Sequence, residues 1–86
     1  MNSSEEKIHS TVIILLHKIA PEADLNKLLN HSDIRQTLGI DSFDFLNFTI
    51  SISDTFNISI PEDDYGKLVS LADIIQYIKN QNPQFS

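Results

Sequence analysis

The stretch DSFDFLNFTISISDTFNISI, residues 41–60, decides the fold because it can be read in two ways. Phe48, Ile50 and Ile52, then Phe56, Ile58 and Ile60, alternate with Thr, Ser and Asn, and Ser53-Asp54-Thr55 between them would serve as a turn. Aromatic and β-branched residues at period two are the pattern of a hairpin. The competing pattern begins earlier. Asp41 is a good N-cap with Asp44 three residues on. Phe45, Phe48, Ile52 and Phe56 then fall within about 80° of one another at 100° per residue. On such a helix Phe43, Leu46 and Ile50 form a second apolar stripe about 150° round, edged by Asp44, Asn47 and Asp54. Propensity favours the strand slightly; capping and the inner stripe favour the helix.

The flanks are plainer. Ser3 with Glu6 makes a capping box, and Ile8, Val12, Leu15, Leu16 and Ile19 recur at helical spacing until Pro21, which predicts a helix over about residues 4–20. From Pro21 to Ile40 runs a long connection with irregular anchors at Leu25, Leu28, Leu29, Ile34 and Leu38. It is expected to be a structured loop with a helical turn near Asp24–Leu29, closed by Gly39. Pro61 followed by Glu62, Asp63 and Asp64 starts a short helical turn that Gly66 is expected to end. Ser70 with Asp73 opens a last helix with Leu71, Ile74, Ile75 and Ile78 on one face. Residues 1–80 then make one domain, and residues 81–86, with Pro83, a flexible C-terminal tail.

Composition removes most alternatives. Eighty-six residues support one modest core, burying only about 60% of the surface of the unfolded chain. With no cysteine there is no disulfide framework, thiolate metal cage, iron–sulfur cluster or cysteine nucleophile. Twelve acidic against six basic residues give a net charge of −6, which argues against nucleic acid and anionic membranes and for basic partners. The imbalance is local: no Lys or Arg lies between Arg35 and Lys67, while Asp41, Asp44, Asp54, Glu62, Asp63 and Asp64 all do. The longest apolar run, Val12–Leu16, is far short of the roughly 20 residues that span a bilayer, and no targeting segment is visible. The chain reads as a soluble, cytoplasmic monomer with no membrane insertion.

Enzymatic chemistry is poorly provided for. Ser42 lacks the G-x-S-x-G setting of a hydrolase serine, and His9, His17 and His31 have no fixed relation to it. Nor do these histidines show metal-ligand spacing; solvent-facing positions are expected for them. A calcium loop is ruled out by Phe43 and Phe45, which stand where oxygen ligands would be needed. No catalytic or metal site is therefore expected. The outer stripe of the helical reading, partly exposed beside Ser42, is instead a candidate docking surface.

Leu38-Gly39-Ile40-Asp41-Ser42-Phe43 resembles the motif around the modified serine of acyl carrier proteins, in which a leucine, a glycine and one variable residue precede Asp-Ser-Leu. The resemblance runs without gaps through Phe56, Ile60-Pro61-Glu62-Asp63-Asp64 and Ile74-Ile75-Gln76-Tyr77-Ile78. It implies an all-α fold, a four-helix bundle with a short third helix and a long loop between helices 1 and 2, and so decides residues 42–56 in favour of the helix. It implies that Ser42 receives the 4′-phosphopantetheine arm of coenzyme A from a phosphopantetheinyl transferase, with acyl groups carried as thioesters on the arm. Asp41 would support this as N-cap and in recognition by the transferase and its magnesium.

The resemblance also implies docking of acyl-transferring and condensing enzymes, with their basic and apolar patches, on Phe43, Leu46, Asn47 and Ile50, steered by Asp44, Asp54, Glu62, Asp63 and Asp64. Asn47 stands where many fatty-acid carriers have Glu, Phe43 replaces Leu, and Thr49, Ser51, Ser53 and Thr55 replace a more acidic, Ala-rich surface. These departures point to a dedicated fatty-acid, polyketide or related pathway and to docking that leans on apolar contact. A peptidyl or aminoacyl carrier, which often has Gly before the serine, and an unmodified acidic interaction module are the alternatives.

Overall fold

Apolar spacing in the N-terminal segment produces α1 (Ser3–Ile19), whose i, i+4 row Ile8, Val12 and Leu16 is completely buried. The computed structural model describes residues 3–82 and 84; the side-chain cap expected of Ser3 with Glu6 lies outside what is described, as does Pro83. After Pro21 the connection is folded. Asp24 accepts from the Asn26 N–H and opens a 3₁₀ turn at Leu25–Lys27. Asp33 accepts from the Gln36 N–H at 3.0 Å and opens α2 (Ile34–Leu38), a five-residue helix within the segment expected to be loop. Gly39, at φ 69°, ends α2 in the left-handed conformation that glycine adopts without strain.

Residues 42–56 form α3 (Ser42–Phe56), and no strand occurs among the described residues. The polar residues that gave the hairpin its alternation are satisfied within this helix. Thr49 Oγ1 donates to the Phe45 carbonyl at 2.8 Å and Ser51 Oγ to the Asn47 carbonyl at 3.0 Å, each bonding one turn back on its own helix. Phe45, Phe48, Ile52 and Phe56 are all buried, with the Phe45 and Phe48 rings tilted at 56° and 5.9 Å apart. Asn57, at φ 53°, caps the end.

Pro61 then precedes a 3₁₀ helix at Glu62–Lys67. It runs through Gly66, which does not end it; the close comes at Leu68, whose N–H donates to the Tyr65 carbonyl. The last element is α4 (Leu71–Gln81), opened by the reciprocal Ser70–Asp73 capping box that the sequence predicts. The four expected helices thus correspond to α1, α3, the 3₁₀ helix and α4.

Helix α1 packs on α3 and α4, and their inner stripes meet in one core with Ile34, Ile40 and Leu68. Polar ties fix the periphery. The Ile34 N–H donates to the Val69 carbonyl and the Ala72 N–H to the Asn30 carbonyl, both at 2.9 Å, so first-turn donors of α2 and α4 are satisfied by each other's flanks. Asn82 Nδ2 donates to the Phe56 carbonyl, and Lys79 meets Glu5 at 2.7 Å across α4 and α1.

Tyr77 links α4 to the 3₁₀ helix by donating to Asp64 Oδ2 at 2.7 Å, while Lys67 sits 3.2 Å from Asp64 Oδ1. Burial, then the Asp64 carboxylate, pushes the Tyr77 hydroxyl up to about 12 from its ordinary value of 10.0. The Tyr77 hydrogen bond first, then Lys67, holds the Asp64 carboxyl below its usual range, and Lys79 does the same for Glu5. A raised phenol stabilises the fold fully below its unfolded value and loses that contribution as pH rises through the folded one. The depressed carboxyls stabilise above their unfolded values and lose it on acidification. Urea midpoints measured across pH are expected to fall between pH 10 and about 12, less steeply in Tyr77→Phe, and to fall again below the carboxylate range. Matching alkaline profiles for Tyr77→Phe and wild type would contradict the assignment.

Candidate functional site

The local sequence builds the junction between α2 and α3 in three steps. The Arg35 carbonyl accepts both the Gly39 and the Ile40 N–H, which closes α2 and reverses the chain. Ile40 then anchors in the core at 6% exposure. Asp41, in extended conformation at φ −82° and ψ 176°, caps α3 by accepting from the Asp44 N–H at 2.8 Å. Ser42 is therefore the first residue of α3, exposed, at the positive end of the helix dipole.

Other serines are occupied differently. Ser70, the N-cap of α4, is 5% exposed and its hydroxyl accepts from the Asp73 N–H. Ser51 and Ser53 donate to the carbonyls of Asn47 and Ile58. The Ser42 hydroxyl accepts from Arg35 Nη2 at 3.0 Å. The same guanidinium lies over the Phe45 ring, 5.7 Å from its centroid. Arg35 was not among the sequence-predicted site residues. Its sequence signal is its place as the last base before the base-free interval, brought to Ser42 across seven residues by the Gly39 turn.

Of the predicted docking residues, Phe43, Leu46 and Ile50 are 70%, 39% and 47% exposed, and so form an open apolar stripe. Ser42, Leu46 and Ile50 follow at i, i+4 spacing, which places the hydroxyl at the head of the stripe. Asn47 and Asp44 are half-buried beside it, while Asp54, Glu62 and Asp63 are exposed. Asp64 is half-buried, its carboxylate engaged by Tyr77 and Lys67, and contributes charge rather than a free group. Arg35 also helps to wall a cleft of about 150 Å³ with Asp33, Phe45, Tyr65, Gly66, Leu68 and Val69. His17 and His31 are exposed as expected, but His9 is half-buried on α1. Among the described residues no cluster of His, Asp or Glu could hold a metal ion, and no helix is long and apolar enough to cross a membrane.

The site is thus a solvent-facing hydroxyl at a helix start, heading an exposed apolar face of a small helical domain. Comparison with known proteins names the class. Residues 14–78 match the family described as the phosphopantetheine attachment site. The acyl carrier protein of Akkermansia muciniphila is 32% identical over 78 residues, covering 91% of each chain. That of Campylobacter hominis is 32% identical over 77 residues, covering 90% of this chain and 91% of the other. That of Campylobacter lari is 30% identical over 67 residues, covering 78% and 84%. The chain belongs to the acyl carrier proteins, the phosphopantetheine-bearing carriers, and is accordingly a carrier and not an enzyme. Its cofactor is 4′-phosphopantetheine, and its partners are, in general terms, a phosphopantetheinyl transferase and acyl-handling enzymes. The junction has features that suit such a group: Ser42 presents an exposed hydroxyl, and Arg35 with the start of α3 gives the surroundings positive character.

Proposed function

We propose that Ser42 is the attachment residue and that the protein holds acyl intermediates for a dedicated fatty-acid, polyketide or related biosynthetic pathway in the cytoplasm. The observation that carries the reading is the exposed Ser42 hydroxyl at the first position of α3, directly after the capping Asp41. In the loading reaction the Ser42 oxygen bonds to phosphorus and the pyrophosphate bridge of coenzyme A breaks. Adenosine 3′,5′-bisphosphate leaves, and the hydroxyl proton passes to a base of the transferase. The bound arm supplies a thiol that takes acyl groups as thioesters. Asp41 keeps the turn in place for this exchange through its cap to the Asp44 N–H. Intact mass after incubation with coenzyme A, magnesium and a broad-specificity transferase tests the reading: a gain of one phosphopantetheine per chain is expected, and an unchanged mass would overturn it.

Docking on the Phe43, Leu46 and Ile50 stripe, flanked by Asn47 and steered by Asp44, Asp54, Glu62, Asp63 and Asp64, is part of this proposal and is supported by the exposure of those apolar side chains. The dedicated-pathway assignment is supported by the Ser and Thr residues of α3 standing where more acids would favour charge-led docking. Phe43→Asp is expected to raise the transferase KM by about tenfold or more, in the range of an interface anchor. Unfolding midpoints should stay within about 0.5 kcal/mol of wild type, because the ring is exposed. An unchanged KM would remove Phe43 from the docking face.

A further inference from the structure

Arg35 comes from α2, seven residues before Ser42, and reaches it only because the left-handed Gly39 turn folds α2 back beside the start of α3. Its guanidinium is held on two sides, by the Ser42 hydroxyl at 3.0 Å and by the face of Phe45 at 5.7 Å. A phosphodiester on Ser42 would add a negative charge to a junction that already carries Asp41 and Asp44, in an interval of residues 36–66 with six acids and no Lys or Arg. Of the side chains around that junction, Arg35 is the cation shown within hydrogen-bond distance of the Ser42 oxygen.

We propose that Arg35 is a positioning residue for the modified protein: it holds the phosphate that Ser42 acquires and so fixes the root of the arm between α2 and α3. The inference rests on Ser42 being the attachment residue. A guanidinium already 3.0 Å from the ester oxygen needs only a small side-chain adjustment to donate to the non-bridging oxygens bonded to the same phosphorus. Its remaining N–H donors match a phosphate in fork geometry, and such charge-assisted bonds are about twice as strong as neutral ones. Stacking on Phe45, itself 7% exposed and fixed in the core, limits the freedom Arg35 has to lose when it binds. Arg35 also lines the cleft formed with Phe45, Tyr65, Leu68 and Val69, and neither Phe43 nor Leu46 lines it, so a phosphate held by Arg35 is drawn toward residues outside the exposed stripe. That leaves the apolar stripe open to a partner while the arm is attached.

The test uses the whole chain converted to the holo form, with conversion of each sample verified by intact mass. In wild type the Arg35 Nε–H resonance is expected to shift between apo and holo protein. The ³¹P resonance should be displaced from that of free phosphopantetheine, and in holo Arg35→Gln it should move toward the free position. The Nε–H comparison needs no variant, so it holds even if Arg35→Gln folds poorly. An Nε–H resonance unmoved on conversion, or ³¹P positions that coincide in fully converted wild type and folded Arg35→Gln, would overturn the role of Arg35 while leaving attachment at Ser42 intact. A wild-type mass that does not change would instead remove the attachment reading, and the inference with it.

Discussion

Ser42→Ala is expected to stay at its unmodified mass under conditions that convert the wild-type protein completely. The effect is all or none because the substitution removes the oxygen that would bond to phosphorus. The sequence holds ten serines, and among the described residues this one alone combines the first position of a long helix with exposure and a hydroxyl held by a guanidinium. Ser70 is the sharpest control, since it also stands at a helix start but is buried and spends its hydroxyl on the Asp73 N–H. Folding should be preserved in Ser42→Ala. The cap of α3 belongs to Asp41, and alanine is a strong helix former just inside a helix start. Far-UV circular dichroism on the same sample confirms that the fold is kept. Modification that persists in Ser42→Ala would place the arm elsewhere.

Phe48→Ala is expected to have the largest effect on stability. Phe48 has 0% exposure at the centre of the inner stripe of α3, against Phe45 on one side and the helices that α3 packs on. Removing a ring of this size from a closed core costs about 3–5 kcal/mol. A domain of this size has only about 5–15 kcal/mol of total stability, so the thermal midpoint should drop by roughly 12–40 °C. Phe43→Ala, five residues earlier on the same helix but 70% exposed, should change stability by less than about 0.5 kcal/mol. Thermal unfolding of the two variants side by side reads the two faces of α3 directly. A loss under about 1 kcal/mol for Phe48→Ala would falsify its place in the core.

Much of this arrangement was legible in the sequence because it depends on periodicity and caps. Asp41, the 45/48/52/56 stripe, the outer stripe at 43/46/50 and the Ser70–Asp73 box are all local patterns, and each appears in the structure where its spacing puts it. The hairpin pattern was equally local, and residues alone could not dismiss it. In the helix both apolar sets have a place, one in the core and one on the surface, and Thr49 and Ser51 are accommodated by acceptors one turn back.

Short and long-range features were harder to read. Helix α2 has a cap at Asp33 and a glycine stop at Gly39, but five residues leave too little apolar pattern to register. Gly66 looked like a terminator, yet the tighter 3₁₀ turn passes through it. Arg35 and Tyr77 are contacts between elements: one reaches Ser42 over a reversed turn, the other reaches Asp64 across thirteen residues, and neither partner is indicated by its neighbours in sequence.

The two backbone bonds between residues 30–34 and 69–72 have a consequence for how the site comes into being. They join chain positions separated by about forty residues, with the whole of α3 between them. Closing such a loop costs entropy before any contact across it is made. The segment that presents Arg35 to Ser42 is therefore tied by backbone bonds to the start of α4 as well as by side-chain contacts to α3. A local opening at the start of α4 is expected to loosen α2, and with it the contact between the serine and its cationic neighbour.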